Sequence, residues 1–192
     1  MEKDKLQSQK KWNEMTKKEK AKNIGCLSII AILVIAAISS LFPGGTGEDQ
    51  YTIPGMEPAP TYLALEQMGF TTERNFGGEY GNVWNCTRQD FGISYKVEIY
   101  APSASSDVQS FRLTIMVEPS IENIQKGKWM MKELAGVRYD TADPAAASAW
   151  VESNYDNDKA STIIGDAVFE LSAPSEFARI LIISKNPEEI QQ

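Results

Sequence analysis

The longest run of apolar positions predicts a helix that crosses a membrane. Residues 24–42, IGCLSIIAILVIAAISSLF, contain no charged side chain over 19 positions. At about 1.5 Å per residue such a helix spans about 29 Å, the hydrocarbon thickness of a bilayer. A helix at the surface of a water-soluble domain would repeat a polar face with a period of about 3.6 residues, and this run has no such face. Pro43 and the glycines after it end the predicted transmembrane helix.

Charges on the two sides of this run predict its orientation. Residues 1–23 contain eight lysines and four acidic residues, whereas no basic residue follows the run until Arg74. By the positive-inside rule, residues 1–23 form a basic cytoplasmic segment and the C-terminal part of the chain lies outside. The alternative is a secretory signal peptide cleaved after residues 37–39, in which Ala37 and Ser39 are the small residues of the cleavage pattern, and cleavage would release the rest of the chain.

The remaining residues predict a spacer and one folded domain. Residues 43–60 contain glycines, prolines and acids without periodicity, which is typical of a flexible acidic linker. Residues 61–185 carry the periodic patterns of an extracytoplasmic α+β domain, and residues 186–192 are a polar tail. About 125 residues are enough for one hydrophobic core.

Alternation of apolar and polar positions predicts six strands in this domain. It is strictest at residues 93–100, where every second residue is apolar. The predicted strands are 83–88, 93–100, 111–117, 161–164, 167–171 and 179–184, the last being apolar on both faces and therefore central in the sheet. The glycine-rich residues 75–82 are predicted to be a loop.

Capping signals and helical spacing predict three helices. They cover residues 62–68, residues 120–135 with an interruption at Gly127, and residues 144–151 after the capping residue Asp143. Segregated helices and antiparallel meanders predict a two-layer α+β fold of a sheet and helices. The order of elements also allows two halves, each with one helix and three strands.

The composition excludes several classes of chemistry. Histidine is absent, so a Ser-His-Asp triad, a Cys-His nucleophile and any His-ligated metal site are excluded. Two cysteines do not make a disulfide framework. The net charge is −7, and because residues 1–23 contribute +4, the remainder carries −11, which disfavours nucleic acid as a partner. We expect no cofactor.

Two groups of residues are candidates for partner binding. The first is the aromatic and glycine-rich loop with Phe76, Glu79, Tyr80 and Trp84, because exposed aromatic side chains on loops are typical of binding surfaces. The second is the polar face of the strand at residues 93–100. Its members are Lys96, Glu98 and Tyr100, with Arg112 and Thr114 of the following strand beside them if the two strands pair.

A weak calcium candidate follows the third predicted helix. Asn154, Asp156 and Asp158 supply oxygen atoms at alternate positions, as a calcium loop does. However, the position that should be glycine is Lys159, and the position of the bidentate glutamate is Gly165. The alternative is a polar turn, because Asn and Asp favour turns. We therefore expect no metal site here.

These features favour a binding protein over an enzyme. A basic segment, one anchor and a small acidic domain are a plan that resembles bacterial envelope proteins, although no diagnostic motif identifies a family. The sequence predicts a single-pass membrane protein that presents a binding or sensing module outside the cytoplasm. Its expected partners are the lipid bilayer and an envelope protein, peptide or polymer. The alternatives are a carboxylate-dependent envelope hydrolase and a structural subunit of an envelope complex.

Overall fold

A computed structural model describes residues 51–78 and 81–186 of the chain. These residues belong to the compact unit that extends from Thr46 to Gln192. The predicted cytoplasmic segment 1–23 and transmembrane helix 24–42 lie outside the described residues, as do most of the tail and the first part of the linker. Within the described ranges, no helix is both long enough and apolar enough to cross a membrane.

The described residues form three helices and one seven-stranded antiparallel sheet, which confirms the predicted α+β class. The elements in chain order are α1 (Pro58–Gln67), β1 (Thr71–Gly78), β2 (Gly81–Asp90), β3 (Ile93–Ala101), β4 (Ser110–Val117), α2 (Ile121–Ala135), α3 (Pro144–Asn154), β5 (Lys159–Ile164), β6 (Ala167–Ser175) and β7 (Ala178–Lys185).

The strand order is β1-β2-β3-β4-β7-β6-β5. Two meanders, β1–β4 and β5–β7, therefore meet where their last strands pair with each other. As its apolar sequence predicted, β7 lies inside the sheet, between β4 and β6. The prediction of three strands in each half is wrong for the first half, which contains four.

The additional strand is β1 (Thr71–Gly78), so residues 75–78 of the predicted 75–82 loop belong to a strand instead. Residues 71–75 pair continuously with β2, and the register becomes irregular only between Asn75 and Gly78. The sequence of β1, TTERNFGG, has no apolar alternation. An edge strand is held by its backbone hydrogen bonds to one neighbour, so it does not need an apolar face, and pattern alone misses it.

One face of the sheet packs against the helices and forms the core. A row of buried apolar side chains crosses it from Val97 on β3 through Leu113 on β4 and Leu181 on β7 to Leu171 on β6. Leu65 of α1, the buried methionines and Leu134 of α2, and Val151 of α3 belong to the same core. The described part of the domain therefore has two layers, with helices on one side of the sheet.

Helix α2 is continuous through Gly127, so the predicted interruption is wrong. Gly127 is buried, and a Cβ there would come within 3.1–3.3 Å of side-chain atoms of Val117, Ile115 and Tyr155. The glycine allows the helix to approach the sheet closely. The predicted starts of the second and third helices are confirmed, because Ser120 caps α2 and Asp143 caps α3 through their side-chain oxygens. The predicted start of the first helix at residue 62 is wrong, because α1 begins at Pro58.

The domain begins earlier than residue 61, so residues 51–60 do not belong to a flexible linker. Ile53 and Met56 are fully buried in the core. Ile53 N–H donates to the carbonyl of Val108 at 2.8 Å, and Val108 N–H donates to the carbonyl of Met56 at 2.6 Å. The two apolar side chains anchor this segment against the β3–β4 loop, and α1 begins at Pro58.

Candidate functional site

The face of the sheet opposite the helices carries the predicted polar strand residues Lys96, Glu98 and Tyr100. We call it the open face. All three described helices contribute their buried side chains to the core on the other side. No helix of the described residues therefore covers the open face.

Four residues at the centre of the open face form what we call the central polar cluster. They are Lys96 and Glu98 on β3 and Arg112 and Thr114 on β4. Glu98 on β3 pairs in register with Arg112 on β4, and Lys96 pairs with Thr114. The predicted neighbourhood of these four residues is thus present. Lys96 Nζ lies 2.7 Å from Glu98 Oε1 and forms an ion pair with it.

Three members of the central polar cluster are buried without complete hydrogen bonding. Glu98, Arg112 and Thr114 are 5%, 3% and 5% exposed. Glu98 Oε2, Arg112 Nε and Thr114 Oγ1 have no hydrogen-bond partner, and Arg112 has no ion pair within the described residues. A buried polar group left unpaired costs about 1–3 kcal/mol, and more when it is charged. Arginine is rarely buried without a partner.

The neighbours of the cluster are apolar on the β7 side and polar on the β2 side. Ile182 and Ile180 on β7 pair in register with Arg112 and Thr114 and are themselves buried. On the other side, Asn85 of β2 pairs with Glu98. Two cations and one anion give the cluster a formal charge of +1. The arrangement is therefore able to bind a group that offers both an acceptor for Arg112 and a donor for Glu98.

Tyr100, the third predicted residue of this face, lies one register step beyond the cluster. It is half-buried and pairs with Ser110 of β4 and Val83 of β2. Further from the cluster, on edge strand β5, Ile163 is 51% exposed on the same face. The open face is therefore buried at its centre and accessible at its margin.

The predicted aromatic site divides into a core residue and a surface residue. Trp84 is only 2% exposed, so its assignment as a partner contact is wrong. Its ring stacks on Tyr62 of α1 and meets the edge of Phe76, with centroid distances of 6.4 Å in both cases. Phe76 remains 61% exposed, and Glu79 and Tyr80 lie outside the described residues. Trp84 therefore fills the space between the sheet and α1. The sequence pattern did not distinguish such a buried aromatic residue from an exposed one on a binding loop.

Arg74 holds this aromatic cluster from the edge strand. Its guanidinium donates to the hydroxyl of Tyr62 and lies 4.7 Å from the centroid of the same ring. Cation–π contacts of this type stabilise exposed sites by about 0.5–1 kcal/mol. The cluster therefore fixes α1 against β1 and β2, which is a structural role.

The calcium candidate is a polar turn. Asn154 Nδ2 donates to the carbonyl of Trp150 at 2.8 Å, and Asn154 Oδ1 accepts from Asn157 Nδ2 at 2.9 Å. The amide of Asn154 thus ends α3 and already makes two hydrogen bonds there. Among the described residues, no three His, Cys, Asp or Glu side chains come together in a way that would hold a metal ion.

The carboxyl groups with shifted pKa values do not suit the general acid that a hydrolase requires. Lys128 and Lys132 of α2 bind Glu152 of α3 at 2.8 and 2.7 Å, and these hydrogen bonds lower the pKa of Glu152 to about 2. Lys126 lowers the pKa of Glu122 in the same way. A general acid needs a raised pKa instead. Burial raises the pKa of the Cys86 thiol, so this cysteine is not an activated nucleophile.

A cavity of about 250 Å³ lies on the helical side, between α1 and the end of α2. It is mostly apolar, with Ala64, Leu65 and Met68 on one wall and Leu134 and Val137 on the other. Sites for drug-sized ligands usually measure about 300–1,000 Å³ and contain a few convergent polar groups. This cavity is smaller, and we assign it no ligand.

No protein-family model, curated protein or solved structure matches the chain. Sequence alternation was sufficient to place Lys96 and Glu98 together on one face, beside Arg112 and Thr114. The unmatched hydrogen-bonding atoms of the cluster follow from side-chain geometry, for which the sequence contains no signal.

Proposed function

We propose that this protein is a single-pass membrane-anchored binding module that presents the open face of its sheet to a partner outside the cytoplasm. The observation that carries the proposal is the central polar cluster. It contains a buried guanidinium nitrogen, a buried carboxylate oxygen and a buried hydroxyl group that lack hydrogen-bond partners among the described residues, on a face that no described helix covers.

A cluster of buried polar groups with unmatched hydrogen-bonding atoms favours a bound state. Removing one partner from a buried charge pair costs about 3–5 kcal/mol, because the remaining charge is uncompensated. A binding partner that supplies the missing acceptor and donor recovers part of this free energy. Ile163, which is 51% exposed at the margin of the same face, adds apolar area, so the interface would have an apolar and a polar part, as protein interfaces do.

The membrane anchor and the compartment are supported by the sequence alone. The uncharged run 24–42 and the lysines before it favour an uncleaved anchor with the N terminus in the cytoplasm. The proposed partners are therefore an envelope protein, peptide or polymer, in addition to the bilayer. The domain's negative charge disfavours nucleic acid.

Thiol labelling of intact cells tests the compartment. Cys26 and Cys86 are replaced by alanine, and Ser105, which is exposed in the β3–β4 loop, is replaced by cysteine. We expect a membrane-impermeant reagent to label the full-length chain on intact cells. Labelling of a shortened chain would indicate a cleaved signal peptide. Labelling only after lysis would contradict the proposed location.

Photo-cross-linking of the full chain in membranes tests the open face. A photoreactive side chain replaces Met116 or Ile163 on the open face, and in the control it replaces Lys126 on the exposed side of α2. We expect adducts from the two open-face positions and none from Lys126. The adducts should also disappear when Arg112→Met is added. Adducts that persist in this variant, or that form equally at all three positions, would contradict the proposal.

A further inference from the structure

We infer that β5 (Lys159–Ile164), the strand at one edge of the sheet, pairs with β5 of a second copy of this chain. The inference goes beyond the proposed function, because it concerns the edge of the sheet and not the central polar cluster. Within residues 51–78 and 81–186, β5 pairs with β6 alone, so no strand lies beside its outer backbone groups. An open edge of this kind accepts a further extended strand.

Alternate residues of β5 direct their backbone N–H and C=O groups away from β6. The two-residue turn at Gly165 and Asp166 joins the two strands, so Ile164 and Ala167 form the first hydrogen-bonded pair. Hydrogen-bonded and non-hydrogen-bonded pairs alternate along an antiparallel ladder. The residues whose backbone groups point outward are therefore Lys159, Ser161 and Ile163. All three are exposed, so the edge is accessible in the single chain.

One register provides partners for all of these backbone groups. A two-fold axis through Ser161, perpendicular to the sheet, places this residue opposite Ser161 of the second copy. The same axis places Lys159 opposite Ile163 of the second copy, and symmetry repeats this pair. Each pair exchanges two hydrogen bonds, so every outward N–H and C=O group of the three residues gains a partner.

The side chains of β5 are compatible with this register. Lys159 and Ile163 lie on the same face of the sheet, because alternate residues of a strand share a face. The aliphatic part of Lys159 covers Ile163 of the second copy, which is 51% exposed in the single chain, while the ammonium group stays in water. Lys159 is the one charged residue of β5, and the two lysines lie at opposite ends of the paired strands. Two copies therefore approach without direct repulsion between their edges.

The other edge strand explains why the partner is a second copy and why the assembly closes. Strand β1 carries Glu73 and Arg74, and its pairing becomes irregular between Asn75 and Gly78. Charges and irregularities of this kind hinder strand addition. Strand β5 pairs regularly with β6 and has no charge after Lys159, so it lacks this protection. Two-fold pairing covers the unprotected edge of both copies at once, and the result is a closed dimer.

Disulfide formation in membranes tests this register. In the full chain with Cys26 and Cys86 replaced by alanine, Ser161→Cys places two thiols opposite each other, at a Cα separation of about 5.5 Å that suits a disulfide. In the matched control, Ile163→Cys, the two thiols lie roughly 13 Å apart along the strand direction. We expect mild oxidation to cross-link Ser161→Cys and to leave Ile163→Cys as a single chain. Equal cross-linking of both variants, or none of Ser161→Cys, overturns the inference.

Charge exchange on the same strand tests the pairing of Lys159 with Ile163. In the Ser161→Cys chain, Ile163→Lys places two lysines opposite each other and should reduce the disulfide about fivefold. Adding Lys159→Glu should restore it, because glutamate then faces lysine. Both positions are exposed, and far-UV circular dichroism checks that each variant is folded. A folded double variant that fails to restore the disulfide would show that the two residues do not face each other.

The photo-cross-linking experiment separates this inference from the proposed function. Adducts between two copies at Ile163 have twice the chain mass of 21.3 kDa and persist in Arg112→Met, so they are counted apart from adducts to the partner at the open face. Adducts from Met116 without a disulfide from Ser161→Cys would overturn the inference alone. A disulfide from Ser161→Cys without adducts from Met116 would overturn the proposed function alone.

Discussion

Glu98 and Arg112 occupy directly opposed positions on β3 and β4, yet Glu98 forms its ion pair with Lys96. Among residues 51–78 and 81–186, the carboxylate oxygen Oε2 and the guanidinium Nε both lack a hydrogen-bond partner. Unmatched buried polar groups lower the stability of a domain and recover free energy when a complementary surface approaches, and the proposed binding function depends on this effect. It is the basis of the functional account.

Replacing Arg112 with methionine is expected to stabilise the single domain. Methionine fills a similar volume without a buried charge, and apolar replacements of buried ionic groups raise the free energy of unfolding by about 1–4 kcal/mol in favourable cases. Urea unfolding of the full chain, at a concentration where it is a single chain, measures this change. A decrease of more than about 1 kcal/mol would mean that Arg112 serves the fold and not a partner.

Trp84→Ala is expected to destabilise the domain by about 3–5 kcal/mol, because it removes a large buried ring that contacts Tyr62 and Phe76. Phe91→Ala serves as the control. Phe91 is 95% exposed in the β2–β3 turn, and its removal should change the free energy of unfolding by less than about 0.5 kcal/mol. Thermal unfolding compares the two variants. Equal and small decreases in melting temperature for the two variants would mean that Trp84 is a surface residue.

The stability of the domain is expected to fall between about pH 10 and pH 12. Burial, followed by the charges of Asp166 and Asp143, raises the pKa of Tyr139 from 10.0 to about 12. A raised pKa means that the fold favours the neutral phenol, so the stabilisation is complete below the ordinary pKa and is lost as pH rises through the folded value. Tyr155 behaves in the same way, mainly through burial.

Tyr139→Phe tests this pH dependence. The variant lacks the hydrogen bond from the Tyr139 hydroxyl to the carbonyl of Ile164, which measures 2.6 Å, so it should lose about 1 kcal/mol at neutral pH. It should also lose less stability than the native chain on going from pH 10 to pH 12. Chemical unfolding at several pH values gives both numbers. Parallel curves for the two chains would exclude Tyr139 as a source of the alkaline transition.

Two glycines with positive φ are expected to differ in their tolerance of alanine. Gly165 begins the turn between β5 and β6 with a φ of +56°, and a Cβ there would lie 2.3 Å from the carbonyl oxygen of Thr141. Gly69 has a φ of +87°, but no atom of the described part of the chain lies within 4 Å of its Cβ position. Gly69→Ala should therefore cost about 1 kcal/mol from backbone strain alone. Gly165→Ala should cost more, and a lower melting temperature for Gly69→Ala than for Gly165→Ala would contradict this packing.

Much of the fold was predictable because the buried strands alternate or are fully apolar. The strand at residues 93–100 and the central strand β7 are examples. Strand β1 was missed because its stability comes from backbone pairing with β2. Residues 51–60 were missed because Ile53 and Met56, which anchor them, form no periodic pattern. In both cases tertiary contacts outweighed the local pattern.

The candidate site was predictable in part. Period-two alternation places Lys96 and Glu98 on the same face, and strand pairing adds Arg112. Trp84 was assigned to the wrong environment, because an aromatic residue near glycines has the same local sequence whether it is exposed or covered by α1. Glu98 forms its ion pair with Lys96 on its own strand and not with Arg112 on the neighbouring strand. This pairing depends on side-chain conformation, which the sequence pattern does not predict.

The central claim, that the open face is occupied in the native membrane, is tested most directly by the reactivity of Lys96. Isolated membranes containing the full chain, and the same chain at high dilution in detergent, are treated briefly with an amine reagent, and modification is measured by mass spectrometry. Lys126, whose side chain is 58% exposed on α2, is the internal reference. We expect Lys96 to be protected in membranes and to become reactive on dilution, while Lys126 reacts equally in both. Equal reactivity of Lys96 in the two states would contradict the account.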